Sequence, residues 1–117
     1  MYVIRSRFLP LGGYAALTLG PFMLLKRGRK LRPSLLRHEQ IHWHQCRELL
    51  VAFFYLWYAV EWLLRFAVEA ARAPRAGRKG AAQRAYYRIS FEREAYACQN
   101  DPGYFARRPF WAFLHYL

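Results

Sequence analysis

Between Pro33 and Pro74 the chain runs for forty residues without a glycine or a proline, and this stretch is rich in Leu, Arg, Glu, Gln and Ala. Nothing in it breaks a helix, and a proline at its start suits the first helical turn. One long helix, or two joined at a kink, is therefore expected over about residues 34–72. With 117 residues the chain can bury one core but not two. Residues 1–117 are thus expected to form a single domain organised around this helical stretch.

The flanking segments carry other signals. Residues 14–25 (YAALTLGPFMLL) are apolar, interrupted by Gly20-Pro21 and followed by the basic run KRGRK, a pattern for one or two short strands ending in a turn. The charged start and apolar run of the N-terminus have the outline of a signal peptide. Pro10, Gly12, Gly13, Gly20 and Pro21 interrupt that run, however, and no small-residue cleavage site precedes a polar mature start, so retention is expected. Ala73 to Gly80 reads as a loop and residues 81–99 as a helix that Asn100-Asp101-Pro102-Gly103 ends. A short last helix is expected from Pro109, carrying Phe110, Trp111, Phe113, Leu114 and Tyr116. The expected fold class is mostly α (α+β): a short N-terminal strand or hairpin, a long helix continuing into an apolar one, a second helix, and a short C-terminal helix.

The functional signal is HExxH in RHEQIHWHQ. Residues four apart on a helix lie about 40° apart in projection, so His38 and His42 reach one ion together. Glu39, about 100° further round, sits beside the metal, where a general base must be to take a proton from an activated water. Two histidines that merely share a helix face are the plain alternative, whereas His44, about 200° round the helix from His42, cannot join the site, and it and His115 are read as surface or partly packed residues. Catalytic zinc ordinarily takes three protein ligands. Glu92 and Glu94 lie about 200° apart, so only one can face the metal. Glu92 shares its face with Ala85, Ile89, Ala95 and Tyr96, and burial on that Ala-rich surface needs a cation to meet the charge. The alternative for Glu92 is a surface ion pair with Arg88 or Arg93. Tyr86, Tyr87, Tyr96 or an arginine are candidates to stabilise an oxyanion. Zn2+ is the expected cofactor and a peptide or protein the expected substrate.

HExxH followed by a Glu on a later helix resembles the gluzincin arrangement. Glu92-x-x-Ala95 resembles the Glu-x-x-Ala-Asp/Asn signature of the CAAX prenyl-protease and HtpX-like membrane metallopeptidases and of the ImmA/IrrE-like regulatory metallopeptidases. The chain is also similar to small bacterial proteins with FEREAYA-like motifs. The resemblance implies that Glu92 is the third zinc ligand and that an edge strand, corresponding to residues 18–25, holds an extended substrate. It also implies a polar support for a ligand histidine after the alanine, a position held here by Tyr96. A zinc-binding regulatory or interaction module without turnover, and a small membrane structural protein, are the two rivals.

Charge and hydropathy bear on partners. Hydrophobic residues make up 56% and aromatics 19%, which excludes disorder, while Lys and Arg outnumber Asp and Glu by 19 to 7. The resulting +12 favours anionic partners, although sixteen of the cations are arginine, as GC-rich coding would also give. No zinc-finger or RNP pattern is present, so nucleic acid is not the expected partner. Cys46 and Cys98 lack CxxC spacing and are expected to be free thiols. Residues 49–68 contain only Glu61 and Arg65 as charges, and twenty helical residues cover about 30 Å. Attachment to an anionic membrane surface, with the site on the cytoplasmic side, is one expectation. A core helix with Glu61, Arg65 and Glu69 as its solvent stripe is the other.

Overall fold

The computed structural model describes residues 2–7, 16–72 and 77–117. Three strands, β1 (Tyr2–Ser6), β2 (Ala16–Leu19) and β3 (Phe22–Lys26), form one sheet in the order β1-β3-β2. β2 and β3 are an antiparallel hairpin with Leu19 opposite Phe22, and β1 runs parallel to β3 with Tyr2 opposite Phe22. The hairpin turns on Gly20-Pro21. A two-residue turn of this kind needs a positive φ at its first position, which Gly20 supplies at 57° and proline cannot. Met23 and Leu25 of β3 are fully buried, the two-residue alternation of a sheet with one inner face. β1 was not anticipated from the sequence. The expected hairpin is present, although residues 14 and 15 lie outside the described part.

The long helical stretch divides into α1 (Pro33–Glu48) and α2 (Ala52–Arg72), and the chain bends by 111° between them. Unbroken, it would be about 60 Å long at 1.5 Å per residue, against a greatest molecular extent of 40 Å. The bend is made by Leu50 and Val51, both at positive φ (55° and 60°). Such a conformation costs a non-glycine residue on the order of 1–3 kcal/mol, so the packing that follows must offset it. That packing is aromatic: Phe54 lies against Phe91 with the rings tilted, Trp57 meets Phe113 edge-on, and Cys46, Leu49 and Ile89 complete the cluster.

From α2 the chain returns as α3 (Gly77–Arg88), α4 (Ser90–Cys98), α5 (Tyr104–Arg107) and a final 3-10 helix (Ala112–Tyr116). α3 packs along α2, and α4 lies between α1 and the 3-10 helix. Three expectations need correction. The helix expected over 81–99 is two helices broken at Ile89, whose ψ of 135° is extended. Gly77–Gly80, expected in a loop, already belong to α3. The last helix begins at Ala112 rather than Pro109, and the turn at α5 was not anticipated.

The largest correction concerns Glu61, Arg65 and Glu69. They do not form a solvent stripe: Glu61 and Glu69 are buried, and Arg65 is half-buried against Glu61. Both carboxylates point inward to specific donors. Glu61 accepts from the Ser90 N–H at 2.6 Å and the Ser90 hydroxyl at 2.7 Å, placing an anion at the start of α4 where helix N–H groups lack partners. Glu69 pairs with Arg84 and Arg88 of α3.

Candidate metal centre

α1 buries a face that is largely polar: His38, Glu39, His42 and Gln45, alongside Ile41 and Cys46. Opposite it, the break at Ile89 sets the direction of α4 and turns Glu92, 3% exposed, toward the two histidines. The face expected to join Ala85 to Glu92 is divided by that break, since Ala85 belongs to α3, but Ala95, one turn on from Glu92 in α4, is small and fully buried and leaves room for close packing. The surface ion pair with Arg88 or Arg93 is not formed. Arg88 serves Glu69, and Arg93 donates to the Tyr116 carbonyl.

The three side chains converge. His38 Nε2 and His42 Nε2 are 3.1 Å apart, His38 Nε2 is 3.1 Å from Glu92 Oε1, and His42 Nε2 is 3.1 Å from Glu92 Oε2. Ligand atoms on a tetrahedral zinc with bonds of 2.0–2.1 Å are separated by about 3.3 Å, close to these spacings. The hydrogen bonds on the far sides of the rings fix their orientation. His38 Nδ1 is 2.8 Å from Gln99 Oε1 and His42 Nδ1 is 2.8 Å from Gln45 Oε1. An amide oxygen only accepts, so each Nδ1 carries the hydrogen and each Nε2 turns a lone pair toward the other and toward a carboxylate. Two lone pairs and an anion at such range require a cation between them, a proton or a metal ion. Burial opposes charge on His42, but the adjoining Glu92 carboxylate outweighs it and raises the imidazole to about 9, with Glu39 adding to the effect. Glu92 is likewise opposed by burial, yet the two histidines hold it well below the ordinary carboxylate range. This buried His-His-Glu group can hold a metal ion.

Glu39 is buried but is not one of the three converging groups. Its carboxylate accepts a hydrogen bond from the Thr18 hydroxyl of β2, which aims it at the sheet side of the site. Two cavities meet there. One, of about 270 Å³, is bounded by Leu17, Phe54, Tyr55 and Tyr58 together with His42 and Glu92. The other, of about 550 Å³, is bounded by Arg29, Lys30, Arg32 and Ser34 together with His38 and Gln99. Ala16, Glu39 and Tyr86 line both, so a cleft with one apolar and one basic half passes over Glu39.

Of the three candidate tyrosines, Tyr86 lies at the junction of the halves, and burial followed by the Glu92 charge raises its hydroxyl far above the ordinary range, so it stays a neutral donor. Tyr96 sets its ring edge against His38, with centroids 4.4 Å apart, and its hydroxyl is pushed by burial to about 12. The polar support for His38 comes from Gln99 instead. Tyr87 is exposed at the rim. β2, the sheet edge nearest the site, is only partly open, since Tyr55 donates to the Thr18 carbonyl and accepts from the Gly20 N–H.

Four contributors escaped sequence reasoning: Thr18, Gln45, Gln99, and Tyr58, whose hydroxyl donates to Glu92 Oε2 at 2.9 Å. Gln45 and Gln99 had a signal in their spacing, three residues after His42 and seven after Glu92, on the same helix faces. Glu94 is separate from the metal group. It is fully buried and accepts from Arg108, Tyr104 and the Gln45 amide. His44 stacks on Phe105, and Cys46 is a buried thiol that burial pushes up to about 12, which removes it as a nucleophile. Comparison with protein-family models, curated proteins and solved structures finds no match.

Proposed function

We propose that this chain is a zinc-dependent hydrolase, a metallopeptidase of gluzincin type cleaving an amide bond. The observation that carries the reading is the division of labour on α1 and α4. His38 Nε2, His42 Nε2 and Glu92 point at one place, while Glu39, which follows His38 in sequence, is turned aside into the cleft. Zinc is favoured by two imidazoles and one carboxylate with room for a fourth position. Bound there, it supplies Lewis acidity to a carbonyl and acidity to a neighbouring water.

The remaining work falls to the chain. Glu39 takes the proton of the attacking water and delivers it to the leaving amine, its carboxylate held by Thr18. Tyr86, a neutral hydroxyl at the junction of the cleft, donates to the oxygen that gains charge as the carbonyl is attacked. Purified protein is expected to hold one zinc per chain. His38→Ala and His42→Ala release it, and Glu39→Gln keeps it while abolishing peptide hydrolysis. Metal content by mass spectrometry, beside cleavage of a mixed peptide library, checks both. Loss of metal from Glu39→Gln as complete as from His38→Ala would sink the assignment of roles. Full zinc occupancy with no cleavage by the wild type would turn the reading to a metal-binding module.

A further inference from the structure

α2 is built inside out. Its buried residues are Phe54, Glu61 and Glu69, whereas Phe53, Leu56 and Leu64 are 59%, 61% and 65% exposed, and Val60, Leu63 and Val68 continue the same outward row. These positions recur every three or four residues, so they form one unbroken apolar stripe along the helix. Leu117 joins it across a shallow groove. A helix that turns carboxylates in and leucines out is matched to a non-aqueous medium.

The charges identify that medium. All seven Asp and Glu side chains have partners within the chain. Glu39 is held by Thr18, Glu48 and Glu94 by Arg108, Glu61 by Arg65 and Ser90, Glu69 by Arg84 and Arg88, Glu92 by the histidines, and Asp101 by Arg107. The outer surface therefore carries excess cations with no unpaired acidic side chain among them. Arg47 just before α2 and Arg72 at its end are exposed, so both ends of the stripe are positive. A second copy of this chain would bring like charges together at both ends with no acid to meet them. An anionic bilayer offers negative headgroups to the cations and acyl chains to the stripe. From Phe53 to Val68 the stripe covers about 23 Å, less than the roughly 30 Å of a hydrocarbon core. Among the described residues no single helix is long and apolar enough to cross a membrane alone.

We infer that the outer face of α2 lays this helix flat in the surface of an anionic bilayer, independently of the metal-site reading. The test is co-sedimentation of the full chain with vesicles of phosphatidylcholine containing phosphatidylglycerol, beside vesicles of phosphatidylcholine alone. Wild type is expected to pellet with the anionic vesicles, more weakly with the neutral ones and less as salt rises. A Leu56→Glu/Leu64→Glu variant is expected to bind at least tenfold more weakly with its metal content unchanged. A dye on Leu64→Cys, sensitive to polarity, gives a second reading without added charge: its emission should shift to the blue only with vesicles. Wild type left in the supernatant with both vesicle types, a double variant that binds as well as wild type, or a lipid-free dimer that the double variant dissolves would overturn the inference.

Discussion

At the site, each histidine is useful only because its far nitrogen is occupied. The amide oxygens of Gln99 and Gln45 hold the two Nδ1 hydrogens, and removing such a support typically costs ten- to a hundredfold in metal affinity. Gln99→Ala and Gln45→Ala are each expected to weaken zinc binding by about that factor, read by competition with a chelator. The two should differ in stability. Gln45 also donates to the Phe91 carbonyl and to Glu94, so its loss disturbs the contact between α1 and α4, whereas Gln99 lies at the end of α4. Equal affinity in Gln99→Ala and wild type would show that the His38 ring is held by something else. His38, Glu39 and His42 were legible in the sequence because helix geometry alone fixes their relation. Glu92 was legible because a buried charge needs a partner. Thr18 and Tyr58 were not, since each reaches the site from a different element and no spacing within the chain announces it.

Among the elements, α2 shows how far a pattern can be read correctly and placed backwards. The periodicity gave the helix and its narrow polar stripe, but which side faces water depends on what the stripe meets, and that is Ser90 and the arginines of α3. The bend was equally hidden, because Leu50 and Val51 are ordinary residues held at positive φ by aromatic packing beyond them. Glu61 is the point where these elements depend on one another, since its carboxylate joins Arg65 and Trp57 of α2 to the start of α4. Glu61→Ala leaves the Ser90 N–H buried without an acceptor and Arg65 without its partner. A loss on the order of 2 kcal/mol is expected, since a buried donor left without its acceptor costs about 1–3 kcal/mol, measured by urea denaturation. Glu61→Gln, which keeps an acceptor, should lose less. A destabilisation within error of zero would mean that this carboxylate is a solvated surface group after all.

For the molecule as a whole, folding, protonation and metal uptake meet at His42. Without metal its folded-state value is about 9 against an ordinary 6.5, raised by Glu92 despite burial. A raised value means that the protonated pair stabilises the fold fully below pH 6.5, and that this contribution is lost as pH climbs through about 9. Glu92, whose value is depressed, contributes above its ordinary range and loses that contribution only in strong acid, so it does not titrate in the same window. A metal ion takes the Nε2 lone pair that the proton otherwise occupies, so metal affinity rises over the interval in which the metal-free fold weakens. Ligand binding adds RT ln(1 + [L]/Kd) to stability. The gap between melting temperatures with zinc and with chelator is therefore expected to widen steadily from pH 6.5 to 9. In His42→Ala the metal-free protein should lose its stability slope across that interval, and the zinc-dependent gap should largely close. A gap that stays constant or narrows in the wild type would disconnect His42 from the metal, leaving the His42–Glu92 contact as an ion pair of the core.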